Sequence, residues 1–207
     1  MYVFGDSFMT QDTAFPGEHW TELVADYDVV MRSQSGCSNG MIAYEVLQSL
    51  KELPDAVVLG FTAEMRLNFD ASDTDDGRLW RNNGNSFITE HEKLACDYYA
   101  ATVSERMVLI ETYLKMRGLF LTLERHKIPY AWTPMMLDNN LAQPRCETLD
   151  WIDILSEFDA KKTPLNLSTY PVFSSNPGFH THNHSWQLQF AQQAQTIIQQ
   201  QVEFYKN

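Results

Sequence analysis

Two serines in this chain stand where a hydroxyl could act as a nucleophile. Ser7 lies in Gly5-Asp6-Ser7-Phe8, directly after the strand-like run Tyr2-Val3-Phe4. Ser38 lies in Gly36-Cys37-Ser38-Asn39-Gly40, which matches a G-x-S-x-G pattern. A serine hydroxyl is inert at its ordinary pKa, so either one needs a base within hydrogen-bond reach and amide donors for a developing oxyanion. The candidate bases are His19, His91, His126, His180, His182 and His184, and the last three crowd into GFHTHNHSW. A G-x-S-x-G elbow requires its serine on a sharp turn directly between strand and helix, with an oxyanion donor from an earlier βα loop. The strand before Ser38 ends near Met31 and only one βα unit precedes it, so the better reading makes Ser38 or Asn39 the cap of the next helix. Ser7 is the preferred nucleophile.

The elements that must position these groups alternate. Tyr2–Phe4 reads as a strand, Glu18–Ala25 as a helix around Trp20, Leu23 and Val24, and Asp28–Met31 as a second strand. Met41–Leu50 reads as a helix with Ile42, Val46 and Leu47 on one face, and the apolar run Ala56–Gly60 as a buried strand. The stretch 68–85, with DASDTDDG and RNNGN, is an insertion of solvated loops, and its acidic positions do not fit a calcium loop. Helix returns over Glu90–Lys127, carried by Leu94, Tyr98, Val103, Met107, Ile110, Leu114 and Leu121, with a break at Gly118. Pro129–Thr133 is a strand, Asp150–Glu157 a short helix, and Ser185–Tyr205 an amphipathic helix with Trp186, Phe190, Ala194, Ile197 and Ile198 inward. This rhythm predicts one α/β domain over 1–207 with a parallel sheet of about five strands and helices on both faces. Ligands of such sheets bind at the carboxyl ends of the strands, where Ser7 stands, and the loop before the last helix falls beside that tip.

Composition narrows the partners. A net charge of −12 argues against nucleic acid and against an anionic membrane surface, and no apolar run is long enough for a membrane span. The 44% hydrophobic fraction suffices for a packed core. Cys37, Cys96 and Cys146 are odd in number and widely spaced, which fits reduced thiols in a cytoplasmic compartment. His180, His182 and His184 alternate in a loop without CxxC or HExxH, so no metal site is expected of them.

Four segments, in order, resemble blocks of the GDSL or SGNH hydrolases. GDSF at Gly5–Phe8 is similar to the block that carries the nucleophile, and VVMRSQSGCSN at Val29–Asn39 to the second, with Gly36 at the oxyanion-donor glycine. VVLGFTAEMR at Val57–Arg66 occupies the third block. Gly60 matches there, and Thr62 and Ala63 stand where the family has Asn and Asp. GFHTHNHSW stands at the block of the catalytic histidine, but Pro177 and Phe179, three before His180 and His182, replace the family Asp. Gly60-Phe61-Thr62 with Arg66 nearby looks like a divergent bacteriophage branch of the family, for which host cytoplasm is the expected location.

The resemblance implies a flavodoxin-like three-layer α/β/α sandwich. It implies ester hydrolysis by Ser7 with His180 as base, His182 being the alternate, and an oxyanion hole from the amides of Ser7 and Gly36 with the Thr62 hydroxyl. It implies no cofactor. The substrate is then a small-molecule or glycan ester, as in carbohydrate O-deacetylation or lipase-like chemistry. The oligomeric state is not legible. The missing Asn and Asp leave a second reading, a non-catalytic SGNH-like binding or structural module.

Overall fold

The computed structural model describes residues 1–6, 9–10, 16–34, 37–62, 67–70, 79–81, 101, 105–133 and 184–207. Tyr2-Val3-Phe4 forms β1, and its aromatic and β-branched residues suit a pleated, buried surface. Val30–Met31 forms β2, Val57–Gly60 β3 and Tyr130–Thr133 β6, and the order across the parallel sheet is β2-β1-β3-β6. β1 is therefore interior, with Tyr2 opposite Val30 on one side and Val57 on the other. Every residue of β3 and β6 is buried, as a continuous apolar run in a covered parallel sheet requires.

Helices cover both faces. Phe4, Val57, Leu59, Tyr130 and Trp132 point to one side, into a core with Ile42 and Val46 of α2 (Asn39–Ser49) and Met116, Phe120 and Leu123 of α3 (Glu105–Arg125). Val3, Val58 and Ala131 point to the other, against Trp20 of α1 (Trp20–Leu23) and Trp186, Phe190, Ala191, Ala194 and Ile198 of α4 (His184–Lys206). Each large apolar side chain removed from water contributes about 1.5–3 kcal/mol before the entropy of ordering is set against it. Aromatic contacts add direction to this packing: Phe120 stacks on Tyr130 at 5.0 Å between centroids, and Trp20 meets Phe190 edge-on at 4.9 Å.

Several expectations shift. The helix expected over Glu18–Ala25 is the single turn Trp20–Leu23, closed by the Glu22 carboxylate, which accepts from the amides of Gly17 and His19. No break occurs at Gly118, and α3 runs through it without interruption. The α3 stripe is also rotated from the expected one. Leu114 and Leu121 are exposed, while Met116, Leu119, Phe120 and Leu123, spaced i, i+3, i+4, i+7, face the sheet. On α2, likewise, Leu47 is exposed although Ile42 and Val46 are buried. The stretch 68–85, read as loops, contains most of an antiparallel pair: β4 (Leu67–Asp70) and β5 (Leu79–Arg81), with Leu67 opposite Arg81. The helix expected over Asp150–Glu157 and the first part of Glu90–Lys127 lie outside the described residues.

The parallel sheet has four strands among the described residues, against about five expected. At its β6 edge, Tyr130 turns its amide and carbonyl away from β3, and the Gln201 side chain of α4 meets both. Gln201 thus takes the hydrogen bonds that a further strand would make at that residue. No helix among the described residues is long and apolar enough to cross a membrane.

Candidate active site at the ends of strands β1 and β3

The chain leaves β1 for β2 on one side and returns as β3 on the other, so the order reverses between β1 and β3. The crevice beyond their carboxyl ends is where open α/β sheets bind ligands. Gly5, Asp6 and Thr62 stand there. Gly5 is required by close approach: a Cβ at this position would lie 2.4 Å from Met9 Cγ and 3.1 Å from the Gly60 carbonyl oxygen. Met9 is fully buried, so the chain after β1 folds back tightly against the strand.

Asp6 has no exposed surface. A buried carboxylate is tolerated only when hydrogen-bonded, and Asp6 Oδ2 accepts from the Thr62 hydroxyl at 2.8 Å. The Asp6 carbonyl accepts from the Met9 amide at 3.0 Å and lies 3.1 Å from the Thr10 hydroxyl. The same hydroxyl is 3.1 Å from Ser33 Oγ, joining this segment to the one after β2.

Thr62 is held from a third direction. Asn39 Oδ1 accepts from the Thr62 amide at 2.8 Å, and Asn39 Nδ2 donates to the Thr62 carbonyl at 2.9 Å. The side-chain amide thereby continues the β3 ladder at the second residue past the strand's end. Asn39 is positioned because it opens α2, whose N-cap is Ser38: Ser38 Oγ accepts from the Met41 amide at 3.3 Å. The capping role expected of Ser38 is the one it has. The β1–β2 ladder also runs on past β2, with the Gln34 amide donating to the Gly5 carbonyl at 2.9 Å and the Cys37 amide to the Gln34 carbonyl at 3.1 Å.

Ser7, Gly36, His180, His182 and Arg66 lie outside the described residues. Their described neighbours are anchored as above: Asp6 and Met9 flank residue 7, and Gln34 and Cys37 flank residue 36. Thr62 is at the crevice, fully buried, and its one hydroxyl proton is directed at Asp6; the oxyanion contact expected of it would require that proton to leave Asp6. His184 is exposed at the first turn of α4. Gln201, near the other end of α4, bonds the first residue of β6, so α4 runs antiparallel to the strands. Its first turn, about 25 Å along the axis from Gln201, is thus at the carboxyl-end side of the sheet. There Gln187 Oε1 accepts from the Trp20 amide at 2.8 Å and ties α4 to α1.

Asn39 was missed by the sequence reading as anything but a cap. A weak signal existed, since Asn is a poor helix residue and here directly follows an equally good N-cap, Ser38, that already fills the role. Among the described residues no group of three His, Cys, Asp or Glu side chains could hold a metal ion. The sequence matches no model of a known protein family, and no curated protein matches it.

Proposed function

We propose that the protein is a serine ester hydrolase of the SGNH type, with Ser7 as nucleophile and His180 as base, His182 being the alternate. The observation that carries this reading is the place of Asp6, the residue just before Ser7, at the β1–β3 reversal where such sheets bind ligands. The direction of α4 supports it, because the chain enters that helix from the carboxyl-end side of the sheet. In the reaction, Ser7 Oγ bonds to the ester carbonyl carbon and its proton passes to the imidazole. The amides of Ser7 and Gly36 donate to the oxyanion. The alkoxide leaves with the imidazolium proton, and water, deprotonated by the same imidazole, releases the acid and restores Ser7.

Within this reading the sheet is the first four strands of a flavodoxin-like order. Any fifth strand beside β6 pairs beyond Tyr130, whose outer groups Gln201 occupies. The chain then belongs to the divergent bacteriophage-type branch and acts in the cytoplasm on a small-molecule or glycan ester. A second reading, a non-catalytic SGNH-like module, is favoured by one observation: the Thr62 hydroxyl at the place of the family Asn is engaged with Asp6.

A fluorophosphonate probe with mapping of the labelled residue separates the two. The catalytic reading expects label on Ser7 and hydrolysis of short-chain aryl esters. Ser7→Ala and His180→Ala should fall to a common floor, since members of a dyad act as a unit. Ser38→Ala should keep its turnover while losing about 0.5–2 kcal/mol of stability with its cap. A wild-type protein that hydrolyses nothing and takes no label leaves the module reading.

A further inference from the structure

We propose that Thr62 is a positioning residue that acts through Asp6, with Asn39 holding Thr62 in turn, and that it supplies no hydrogen bond to an oxyanion. The inference rests on Ser7 being the nucleophile. Three observations lead to it. The Thr62 hydroxyl has one proton, and at 2.8 Å it is given to a carboxylate with no exposed surface. Giving that proton to a substrate would remove a donor from a buried carboxylate, which is costly because a buried acceptor loses a partner. The main chain of Thr62 cannot readily rotate to re-aim the hydroxyl, because Asn39 holds both its amide and its carbonyl.

The clasp has a clear target. Asp6 is bonded directly to Ser7, and its carbonyl also receives the Met9 amide, so fixing Asp6 fixes both ends of the segment that carries the nucleophile. Asn39, Thr62 and Asp6 come from the start of α2, the end of β3 and the end of β1. The chain of hydrogen bonds therefore locks three elements at the crevice. A displacement of about 1 Å at a reacting atom can cost roughly 100-fold in rate.

The test is a double-mutant cycle on the whole chain with Asp6→Asn, Thr62→Val and the double variant, together with Thr62→Ser. Two readouts are taken: the rate of fluorophosphonate labelling at Ser7, and amide hydrogen exchange over residues 5–10. Thr62→Val should slow labelling by about 10- to 100-fold, and Thr62→Ser should restore most of it. The double variant should be no slower than the slower single, because both substitutions break the same link. Losses that multiply would mark Thr62 as an independent donor and overturn the proposal, as would a Thr62→Val rate equal to wild type. In the exchange arm, Thr62→Val should speed exchange at residues 5–10 while α4 keeps its protection; unchanged exchange there also overturns it. A wild type that takes no label at Ser7 defeats the hydrolase reading, and the exchange arm still decides whether the clasp exists.

Discussion

At the scale of single residues, Gly5 carries more of the candidate site than its size suggests. It is not a flexible hinge. Its missing side chain is the space into which Met9 packs and across which the Gly60 carbonyl approaches. Gly5→Ala puts a methyl group 2.4 Å from Met9 Cγ, and Met9, fully buried, has little room to yield. Overpacking of this kind typically costs about 1–3 kcal/mol. Urea denaturation should show Gly5→Ala less stable by that amount, and trimming Met9 to Ala in the same chain should recover part of the loss. An unchanged midpoint for Gly5→Ala would mean that the chain after β1 is not packed as described. The glycine is plain in the sequence, yet its reasons, a φ of +157° and the close approach of Met9 and of the Gly60 carbonyl, are read only from the fold.

At the scale of elements, one device recurs. A carboxamide side chain on a helix takes the amide and carbonyl of one residue at the margin of a strand: Asn39 of α2 on Thr62, and Gln201 of α4 on Tyr130. The carboxamide suits this because it presents one donor and one acceptor side by side, as a neighbouring strand would. Gln201 interrupts the apolar stripe of α4 at a buried position, where a polar residue is expensive unless satisfied. Gln201→Met keeps the volume and removes the two hydrogen bonds that Gln201 makes to the buried Tyr130 backbone, at about 1–3 kcal/mol each. Thermal or urea denaturation should register that loss, and amide exchange at Tyr130 should accelerate ahead of its neighbours in β3. A variant as stable as the wild type, with Tyr130 still protected, would show that another group covers the β6 edge. The rotation of α3 belongs to this scale too. Two apolar stripes compete on that helix, and the one with Phe120 and Met116 wins because it meets the aromatic side of the sheet.

At the scale of the whole molecule, two polar groups among the described residues differ in burial. The carboxyl ends hold the buried Asp6–Thr62–Asn39 chain. A second group, formed by Tyr2 of β1, Arg32 just after β2 and Glu52 before β3, is exposed: Tyr2 donates to Glu52, Arg32 pairs with Glu52 at 3.1 Å, and the Arg32 guanidinium lies 5.4 Å from the Tyr2 ring centre. The Tyr2 hydrogen bond, and then the Arg32 charge, hold the Glu52 carboxyl below its ordinary value of 4.5. The same bond, followed by desolvation, raises Tyr2 above 10.0. The consequences for stability have opposite signs. The Glu52 contribution is complete above its ordinary pKa and is lost as pH falls through the lowered one, because the unfolded chain takes up the proton first. The Tyr2 contribution is complete below its ordinary pKa and is lost as pH rises through the raised one. Glu52→Gln should therefore lower stability slightly in the neutral region, where both contributions are complete, and converge with wild type at the acid and alkaline limits; the loss is small, as suits an exposed group. Urea midpoints measured from pH 3 to 11 check this; a variant profile parallel to wild type at both ends would rule the linkage out.

What the sequence determined by itself was the set of elements: β1 at Tyr2–Phe4, the buried run of β3, β6 after Pro129, the closing helix, and the Ser38 cap. Each rests on local physics, on periodicity, apolar runs and capping chemistry, and needs no knowledge of neighbours. The tertiary structure alone decided which stripe of α3 faces inward, that Asn39 and Gln201 complete strands they do not belong to, and that the Thr62 hydroxyl serves Asp6. These are choices among partners far apart in the chain. A carboxamide or a hydroxyl looks the same in sequence whether it faces solvent, a ligand or a backbone amide, and only the packing of β1, β3, α2 and α4 around it settles which.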